Sequence, residues 1–169
     1  MCSFTGFRPF VLAAVLLLAV AVGTAHAQIK MPPRSLGEVI EQAEAEGTPI
    51  LLEIYTPWCP YCQRMQKTVY SDSTVRSVLD RQFTYARLNR DTTAGNHQFN
   101  GRTLSSKQLG FALGARGVPT TAFLKADGTP IASQPGFIKR DTFLQLIRYV
   151  GSGAYENKSF EAFRTQSSK

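Results

Sequence analysis

Residues 50–62 read ILLEIYTPWCPYC, an apolar run followed at once by two cysteines that two residues separate. The apolar run predicts a buried strand, and the segment that begins at Cys59 predicts a helix. Two cysteines at this spacing, where a strand turns into a helix, are typical of a redox-active dithiol. The positive end of the helix dipole stabilises a thiolate at Cys59, and Cys62 is near enough in sequence to close a disulfide with it.

The N-terminal segment has the features of a cleavable signal peptide. Arg8 precedes an apolar run over residues 10–22, and residues 25–27, Ala-His-Ala, supply the small residues of a cleavage site. The run has about 13 residues, fewer than the ~20 that span a bilayer. We therefore expect cleavage after Ala27, leaving residues 28–169 as a single periplasmic or secreted domain. An uncleaved N-terminal anchor is the alternative.

Processing changes the cysteine count, because it removes Cys2 and leaves only Cys59 and Cys62. A disulfide between them closes a very small ring, which adds little stability, so a redox role is favoured over a structural one. The alternative is half of a metal site, but a closed zinc site needs two further ligands. The only histidine after the leader is His97, which we interpret as a solvated loop residue. We expect no metal site.

The charge pattern bears on partners. The chain has 19 Lys and Arg against 12 Asp and Glu, a formal net charge of +7. The basic residues are scattered, and only Lys139 and Arg140 are adjacent. This pattern is typical of a solvated basic surface rather than of a nucleic-acid-binding tract. We expect no nucleic-acid partner, no second domain and a monomer.

Capping and periodicity patterns predict helices and strands along the whole mature chain. Ser35 and Glu38 form a capping box before a helix that ends at Gly47. The other predicted elements are a strand over 49–55, the helix from Cys59, a helix carrying Val75 to Leu79, a strand over 83–89, a helix capped by Ser105, a hairpin over 120–134 that turns at Asp127-Gly128, a helix from Asp141 to Val150 and a short helix after Tyr155.

This order predicts the fold class. Strand, helix and strand, followed by a hairpin and a helix, indicate an α/β fold with a central mixed sheet of about four strands flanked by helices. Pro130 at the start of the last strand indicates a sheet edge, because proline cannot donate a ladder hydrogen bond. Residues 90–104 are rich in Asp, Thr, Gly and Asn and are interpreted as a long loop, a candidate for partner specificity.

Three features at compatible spacing resemble the thioredoxin superfamily over about residues 49–150. The segment from Trp58 to Cys62 resembles the family's active-site motif, and residues 116–120, Arg-Gly-Val-Pro-Thr, resemble the segment that carries its cis-proline. Glu53 stands six residues before the first cysteine, where thioredoxins carry a buried acid. The resemblance implies a thioredoxin-like fold and disulfide exchange.

The resemblance also implies catalytic roles. Cys59 attacks a partner's disulfide, and Cys62 resolves the mixed disulfide, with this dithiol as the only redox group and no further cofactor. A charged Glu53 is costly in an apolar strand, and burial favours the protonated carboxyl group, which suits a proton acceptor when Cys62 attacks. The alternative is a Glu53 that points outward from the strand.

Substrate-binding roles are implied for five residues around the dithiol. The resemblance implies a cis peptide bond before Pro119 that brings the Val118 backbone beside the sulfurs, where a substrate chain pairs as an added strand. Trp58, Pro60 and Tyr61 then form an apolar contact surface. The alternatives are an ordinary trans proline that opens a strand and a Trp58 that fills the core.

The dipeptide between the cysteines bears on the direction of electron flow. Pro60-Tyr61 is similar to the dipeptide of glutaredoxins and indicates a less reducing couple than that of thioredoxin. Together with residues 99–101 and the tail over 148–163, it resembles periplasmic thioredoxin-like proteins of sulfur oxidation, the SoxW type. That resemblance implies an exported enzyme that reduces protein disulfides with electrons from a membrane thiol-reducing donor. A disulfide-forming oxidant and a Cu(I)-binding protein are the alternatives.

Overall fold

The computed structural model describes Met1 and residues 34–167. The predicted signal peptide lies, apart from Met1, outside the described residues. The helices are α1 (Leu36–Glu46), α2 (Pro60–Met65), α3 (Ser73–Gln82), α4 (Ser106–Ala112), α5 (Arg140–Gly151) and α6 (Phe160–Ser167), with a π-helical turn at Gln66–Tyr70 and a 3-10 turn at Ala154–Glu156. The strands are β1 (Ile50–Tyr55), β2 (Thr84–Asn89), β3 (His97–Phe99), β4 (Arg102–Leu104), β5 (Thr120–Leu124) and β6 (Pro130–Pro135).

Four strands form the central sheet in the order β2-β1-β5-β6. β1 pairs in parallel with β2 and antiparallel with β5, and β6 pairs antiparallel with β5. The predicted mixed sheet of four strands flanked by helices is therefore confirmed. Pro130 begins the edge strand β6, as its missing N–H donor predicted.

Each face of the sheet is covered by its own set of helices. The face that we call the dithiol face packs against α2, the π-helical turn, α3 and α5, and its core includes Leu51, Phe123 and Phe143. The opposite face packs against α1 and α4, and its core includes Ile50 and Leu52. Because side chains alternate along a strand, Glu53 follows Leu51 onto the dithiol face.

The predicted capping box at Ser35 is present, and the predicted cap at Ser105 is also part of a capping box. The Glu38 backbone N–H donates to Ser35 Oγ at 3.2 Å, and the Ser35 N–H donates to Glu38 Oε2 at 2.7 Å. Ser105 and Gln108 form the same pair of bonds at α4. These bonds satisfy N–H groups that have no partner within the helix.

The prediction of a loop over residues 90–104 was wrong, because this stretch contains the hairpin β3–β4. Asn100 and Gly101 form its two-residue turn at φ values of 49° and 71°. Asn-Gly is a typical sequence for such a turn. Each strand has only three residues, which is too few to show an alternating pattern.

Among residues 34–167, no helix is long and apolar enough to cross a membrane.

Candidate active site

The first cysteine lies at the junction of strand and helix. Cys59 is the N-cap residue of α2, with extended backbone (φ −76°, ψ 113°), and its Sγ accepts the Cys62 N–H at 3.2 Å. Pro60 occupies the first turn, where a missing N–H leaves no bond unmade. The Cys59 sulfur thus meets a backbone donor at the start of the helix.

The second cysteine lies one turn into the helix and is 2% exposed. Burial raises the pKa of the Cys62 thiol to about 12, and a hydrogen bond with the Cys59 side chain and the negative charge of Glu53 add to the rise. The Thr56 backbone opposes it with a hydrogen bond. Cys62 is therefore a protonated thiol at neutral pH, and it must give up its proton before it can attack a disulfide.

Glu53 is fully buried within a cluster of polar side chains, which we call the Glu53 cluster (Glu53, Gln66, Tyr85 and Arg87). Its Oε2 accepts hydrogen bonds from the Tyr85 hydroxyl at 2.6 Å, from Arg87 Nε at 2.9 Å and from the Gln66 amide. Arg87 Nη2 also donates to Oε1 at 3.4 Å. The alternative of an outward-pointing Glu53 is excluded, because the residue is 0% exposed.

From the sequence we expected burial to disfavour the charged form of the Glu53 carboxyl group. The structure adds a partner for that charge, because Arg87 forms an ion pair with it. A paired and hydrogen-bonded carboxylate is stabilised in a protein interior, whereas an isolated one is not. Burial and the Glu53 charge raise the pKa of Tyr85, so its hydroxyl stays protonated and donates to the carboxylate. No hydrogen bond in the described part of the chain joins the carboxylate directly to the Cys62 thiol.

The partners of Glu53 were not identified from the sequence, although a signal for them exists. In β2, Tyr85 and Arg87 alternate with the apolar Ala86 and Leu88. Since β2 pairs with β1 and Arg87 lies opposite Glu53, that alternation places both polar side chains on the dithiol face. Gln66 could not be placed this way, because it begins the π-helical turn. No periodic pattern in the sequence predicts where such a turn occurs.

The region around Cys59 that we call the front surface comprises the exposed Trp58 and Tyr61, the half-buried Val118 and the buried Pro119. The Val118–Pro119 peptide bond is cis, as predicted, and Cys59 Sγ lies 3.6 Å from the Val118 carbonyl oxygen. Trp58 is 65% exposed and Tyr61 is 59% exposed, so Trp58 does not fill the core. The structure thus places the Val118 carbonyl beside Cys59 Sγ and leaves Trp58 and Tyr61, which lie close to Cys59 in sequence, exposed.

A cavity of about 790 Å³ opens on the other side, next to Cys62. Its lining includes Gln66, Tyr85 and Arg87, so the cavity lies beside the Glu53 cluster. The dithiol is thus reached from two directions, by the front surface at Cys59 and by the cavity at Cys62.

The interpretation of His97 as a solvated residue was wrong. His97 is 3% exposed and lies on the opposite face of the sheet, in what we call the His97 cluster (Leu36, Ala94, His97 and Ser106). Its Nδ1 accepts the Leu36 N–H at 3.0 Å, which leaves Nε2–H to donate to Ser106 Oγ at 2.9 Å. Ser106 in turn donates to the Ala94 carbonyl. His97 therefore joins the hairpin to α1 and α4 and takes no part in the dithiol site.

Within residues 34–167, no group of three or more His, Cys, Asp or Glu side chains is arranged to hold a metal ion.

A family comparison assigns most of the described chain to one domain type. The model of the thioredoxin-like domain matches residues 36–151. By sequence, the chain is 31% identical over 127 residues to the thiol:disulfide interchange protein DsbD of Citrobacter koseri, which covers 73% of this chain and 21% of that protein. The chain thus spans about a fifth of the length of this relative.

Solved structures agree with the fold. A thioredoxin-fold protein from Helicobacter pylori superposes with a TM-score of 0.61 at 20% identity, covering 71% of this chain and 80% of that one. The C-terminal domain of Neisseria meningitidis DsbD in the oxidised form gives a TM-score of 0.51 at 19% identity, with coverage of 67% and 90%. At these identities the likeness concerns the fold.

Proposed function

The chain belongs to the thioredoxin-like domain family, and from that premise we propose that it is a thiol–disulfide oxidoreductase whose Cys59 and Cys62 reduce disulfides of partner proteins outside the cytoplasm. The observation that carries this proposal is the asymmetry of the two thiols. Both sulfurs are buried, at 3% and 2% exposure, but Cys59 Sγ accepts a backbone N–H and lies next in sequence to the exposed Trp58, whereas burial raises the pKa of the Cys62 thiol to about 12. The first suits attack on an incoming disulfide, and the second suits resolution from within.

The reaction proceeds in two exchanges. The Cys59 thiolate attacks one sulfur of the partner's disulfide, and the other sulfur of that disulfide leaves as a thiolate. Because no hydrogen bond within the described residues joins Cys62 to Glu53, the Cys62 proton passes to the carboxylate through the cavity that Cys62 and members of the Glu53 cluster line. Cys62 Sγ then attacks Cys59 Sγ, and the partner sulfur that was bonded to Cys59 leaves as a thiolate. The partner gains two electrons, this chain retains a Cys59–Cys62 disulfide, and no other cofactor takes part.

The front surface positions the partner. The Val118 carbonyl stands beside the Cys59 sulfur and offers a backbone acceptor to an extended substrate chain. Trp58, Pro60 and Tyr61 supply apolar contact area around the sulfur, since both aromatic side chains are more than half exposed. Pro119 holds the turn that presents the Val118 carbonyl.

The proposed compartment requires a source of electrons. The signal peptide predicted to end at Ala27 leads to a periplasmic or secreted protein, and such compartments are oxidising. A membrane protein that exports thiol-reducing equivalents would therefore regenerate the dithiol of a monomeric enzyme. A SoxW-type role in sulfur oxidation, or one in cytochrome maturation, fits this arrangement.

Insulin reduction tests the proposal directly. With dithiothreitol as electron donor, the wild-type chain should accelerate insulin reduction, and Cys59→Ser should abolish the acceleration. Cys62→Ser serves as the matched variant, because it keeps the attacking thiol and loses only turnover. Retained acceleration in Cys59→Ser would contradict the proposal.

The Pro60-Tyr61 dipeptide favours a second candidate, a disulfide-forming oxidant. The reduction potential separates the two functions: a value near roughly −270 mV supports the reductase, and one near roughly −120 mV supports the oxidant. A Cu(I)-binding protein would instead bind the ion stoichiometrically and fail to reduce insulin.

A further inference from the structure

Three large apolar side chains between residues 34 and 167 stand out by being more than half exposed. Trp58 and Tyr61 belong to the front surface, and the third is Phe111, which is 51% exposed on α4. Exposed aromatic side chains near a reactive group mark surfaces that bind other proteins. Phe111 has no part in the reaction described above, so its exposure needs its own account.

Phe111 and Trp58 are held by two successive residues at the end of β2. The indole Nε1 of Trp58 donates to Asp91 Oδ2 at 2.5 Å. The guanidinium of Arg90 lies over the Phe111 ring, 5.6 Å from its centre. Arg90 also donates to the Ala115 carbonyl at 3.1 Å, which ties the chain after α4 to the same point.

Close packing keeps this arrangement rigid. A Cβ atom at Gly110 would lie 2.9 Å from Cγ of Arg90, so a glycine there lets α4 approach the arginine side chain. The Arg90 N–H donates to the Tyr55 carbonyl at 2.9 Å, which fixes the same residue to the end of β1. Side chains that are already held in place lose little entropy when a partner binds.

The chain around Phe111 is positively charged. Residues 92–126 contain no Asp or Glu, whereas they contain Arg102, Lys107, Arg116 and Lys125. Lys107 precedes Phe111 by four residues on the same helix and therefore lies on the same side of it. Neither Lys107 nor Arg116 forms an ion pair within the described residues.

We propose that the front surface extends past Asp91 to Phe111 and binds a partner segment in which an apolar side chain is flanked by carboxylates. The apolar side chain packs on the Phe111 ring, and the carboxylates pair with Lys107 and Arg116. This inference rests on the proposed function, because it concerns the partner whose disulfide Cys59 attacks. It extends the binding area beyond the dithiol loop and the cis-proline turn.

The experiment uses two disulfide-bonded peptides of equal length with one leucine near the cysteine. The leucine is flanked by glutamates in one peptide and by lysines in the other. The full chain should reduce the glutamate peptide with the lower KM, and this advantage should shrink as salt is added. Phe111→Ser should raise the KM for the glutamate peptide about fivefold with kcat unchanged, because truncating an anchoring residue of an interface, unlike most contact residues, has an effect of at least this size.

Three further variants and one small substrate separate this surface from the chemistry. Phe111→Leu should restore most of the lost affinity, and Lys107→Gln should raise the KM for the glutamate peptide alone, whereas Lys158→Gln on the distant tail should change neither KM. Reduction of a small aromatic disulfide that touches only Cys59 should be equal in all variants. An unchanged KM in Phe111→Ser, or equal KM values for the two peptides, overturns this inference while the small disulfide is still reduced. Failure to reduce the small disulfide overturns the proposed function as well.

Discussion

The two buried polar clusters lie on opposite faces of one sheet and differ in charge and in access. The Glu53 cluster holds a carboxylate and a guanidinium beside the cavity that reaches Cys62. The His97 cluster holds neutral groups in which each donor meets an acceptor. Burial alone does not distinguish them, since Glu53 and His97 are both almost inaccessible.

Packing makes the same distinction. A Cβ atom at Gly95 would lie 2.7 Å from His97 Nε2, so the backbone packs closely against that edge of the imidazole. The Glu53 cluster instead borders a cavity of about 790 Å³. The closed, neutral His97 cluster connects elements of the fold, whereas for the charged Glu53 cluster, which borders the cavity at Cys62, we propose a role in proton transfer.

The largest expected effect is on stability at the ion pair. Glu53→Leu should lower the free energy of unfolding by about 3 kcal/mol, because the partly buried charge of Arg87 loses its partner. Adding Arg87→Leu should recover most of this loss, because no buried charge then remains unpaired. Urea denaturation measures both values. A single variant within about 1 kcal/mol of the wild type would show that the pair is weakly coupled.

The next effect is on catalysis. Glu53→Gln keeps the shape of the side chain but cannot accept a proton, so resolution by Cys62 should slow by about 10²-fold. Rapid-quench measurement of partner release from the Cys59 mixed disulfide gives this rate. His97→Gln is the matched control from the other cluster and should leave it unchanged. Equal resolution rates for Glu53→Gln and the wild type would show that Glu53 does not accept the Cys62 proton.

Truncation of the second cluster should affect stability alone. His97→Ala leaves the Leu36 N–H and the Ser106 hydroxyl without their partner, which should lower the free energy of unfolding by about 2 kcal/mol. At temperatures well below unfolding, insulin reduction should stay at the wild-type rate. A loss of activity without a loss of stability would show that His97 takes part in disulfide exchange and would contradict its purely structural role.

The smallest effect is a pH dependence of stability. Burial lowers the pKa of His97 in the folded chain, whereas the unfolded chain keeps the ordinary value of about 6.5. Between these two pKa values the unfolded chain binds more protons than the folded chain. The contribution of neutral His97 to the free energy of unfolding is therefore complete above about pH 6.5 and is lost as the pH falls below it.

The His97→Gln variant isolates that contribution. The free energy of unfolding from urea titrations at pH 7 and pH 5 should fall more in the wild type than in this variant. Parallel decreases in the two proteins would assign the pH dependence to other groups.

Regular and local patterns were readable from the sequence. The buried strand β1, the CxxC spacing before α2 and the capping box at Ser35 each depend on neighbouring residues, and all three are present. The burial of Glu53 was predictable for the same reason, because an acid within an apolar strand faces the core or an edge. The cis bond at Pro119 was predictable only through the family resemblance.

Features that depend on distant residues were not readable. His97 is buried because a hairpin of two three-residue strands carries it against Leu36, 61 residues earlier in the chain. Arg87 becomes the partner of Glu53 through the register of two strands that a long helical connection separates. Such contacts follow from the assembled sheet rather than from any local pattern.

Trapping of the mixed disulfide tests most directly whether Cys59 attacks the partner and Cys62 resolves the mixed disulfide. Reduced Cys62→Ser is mixed with insulin, the products are alkylated without reductant, and the linked peptides are identified by mass spectrometry. The account predicts an accumulated disulfide between insulin and Cys59, and no adduct with Cys59→Ser under the same conditions. An adduct through Cys62 that forms as readily in Cys59→Ser would contradict it.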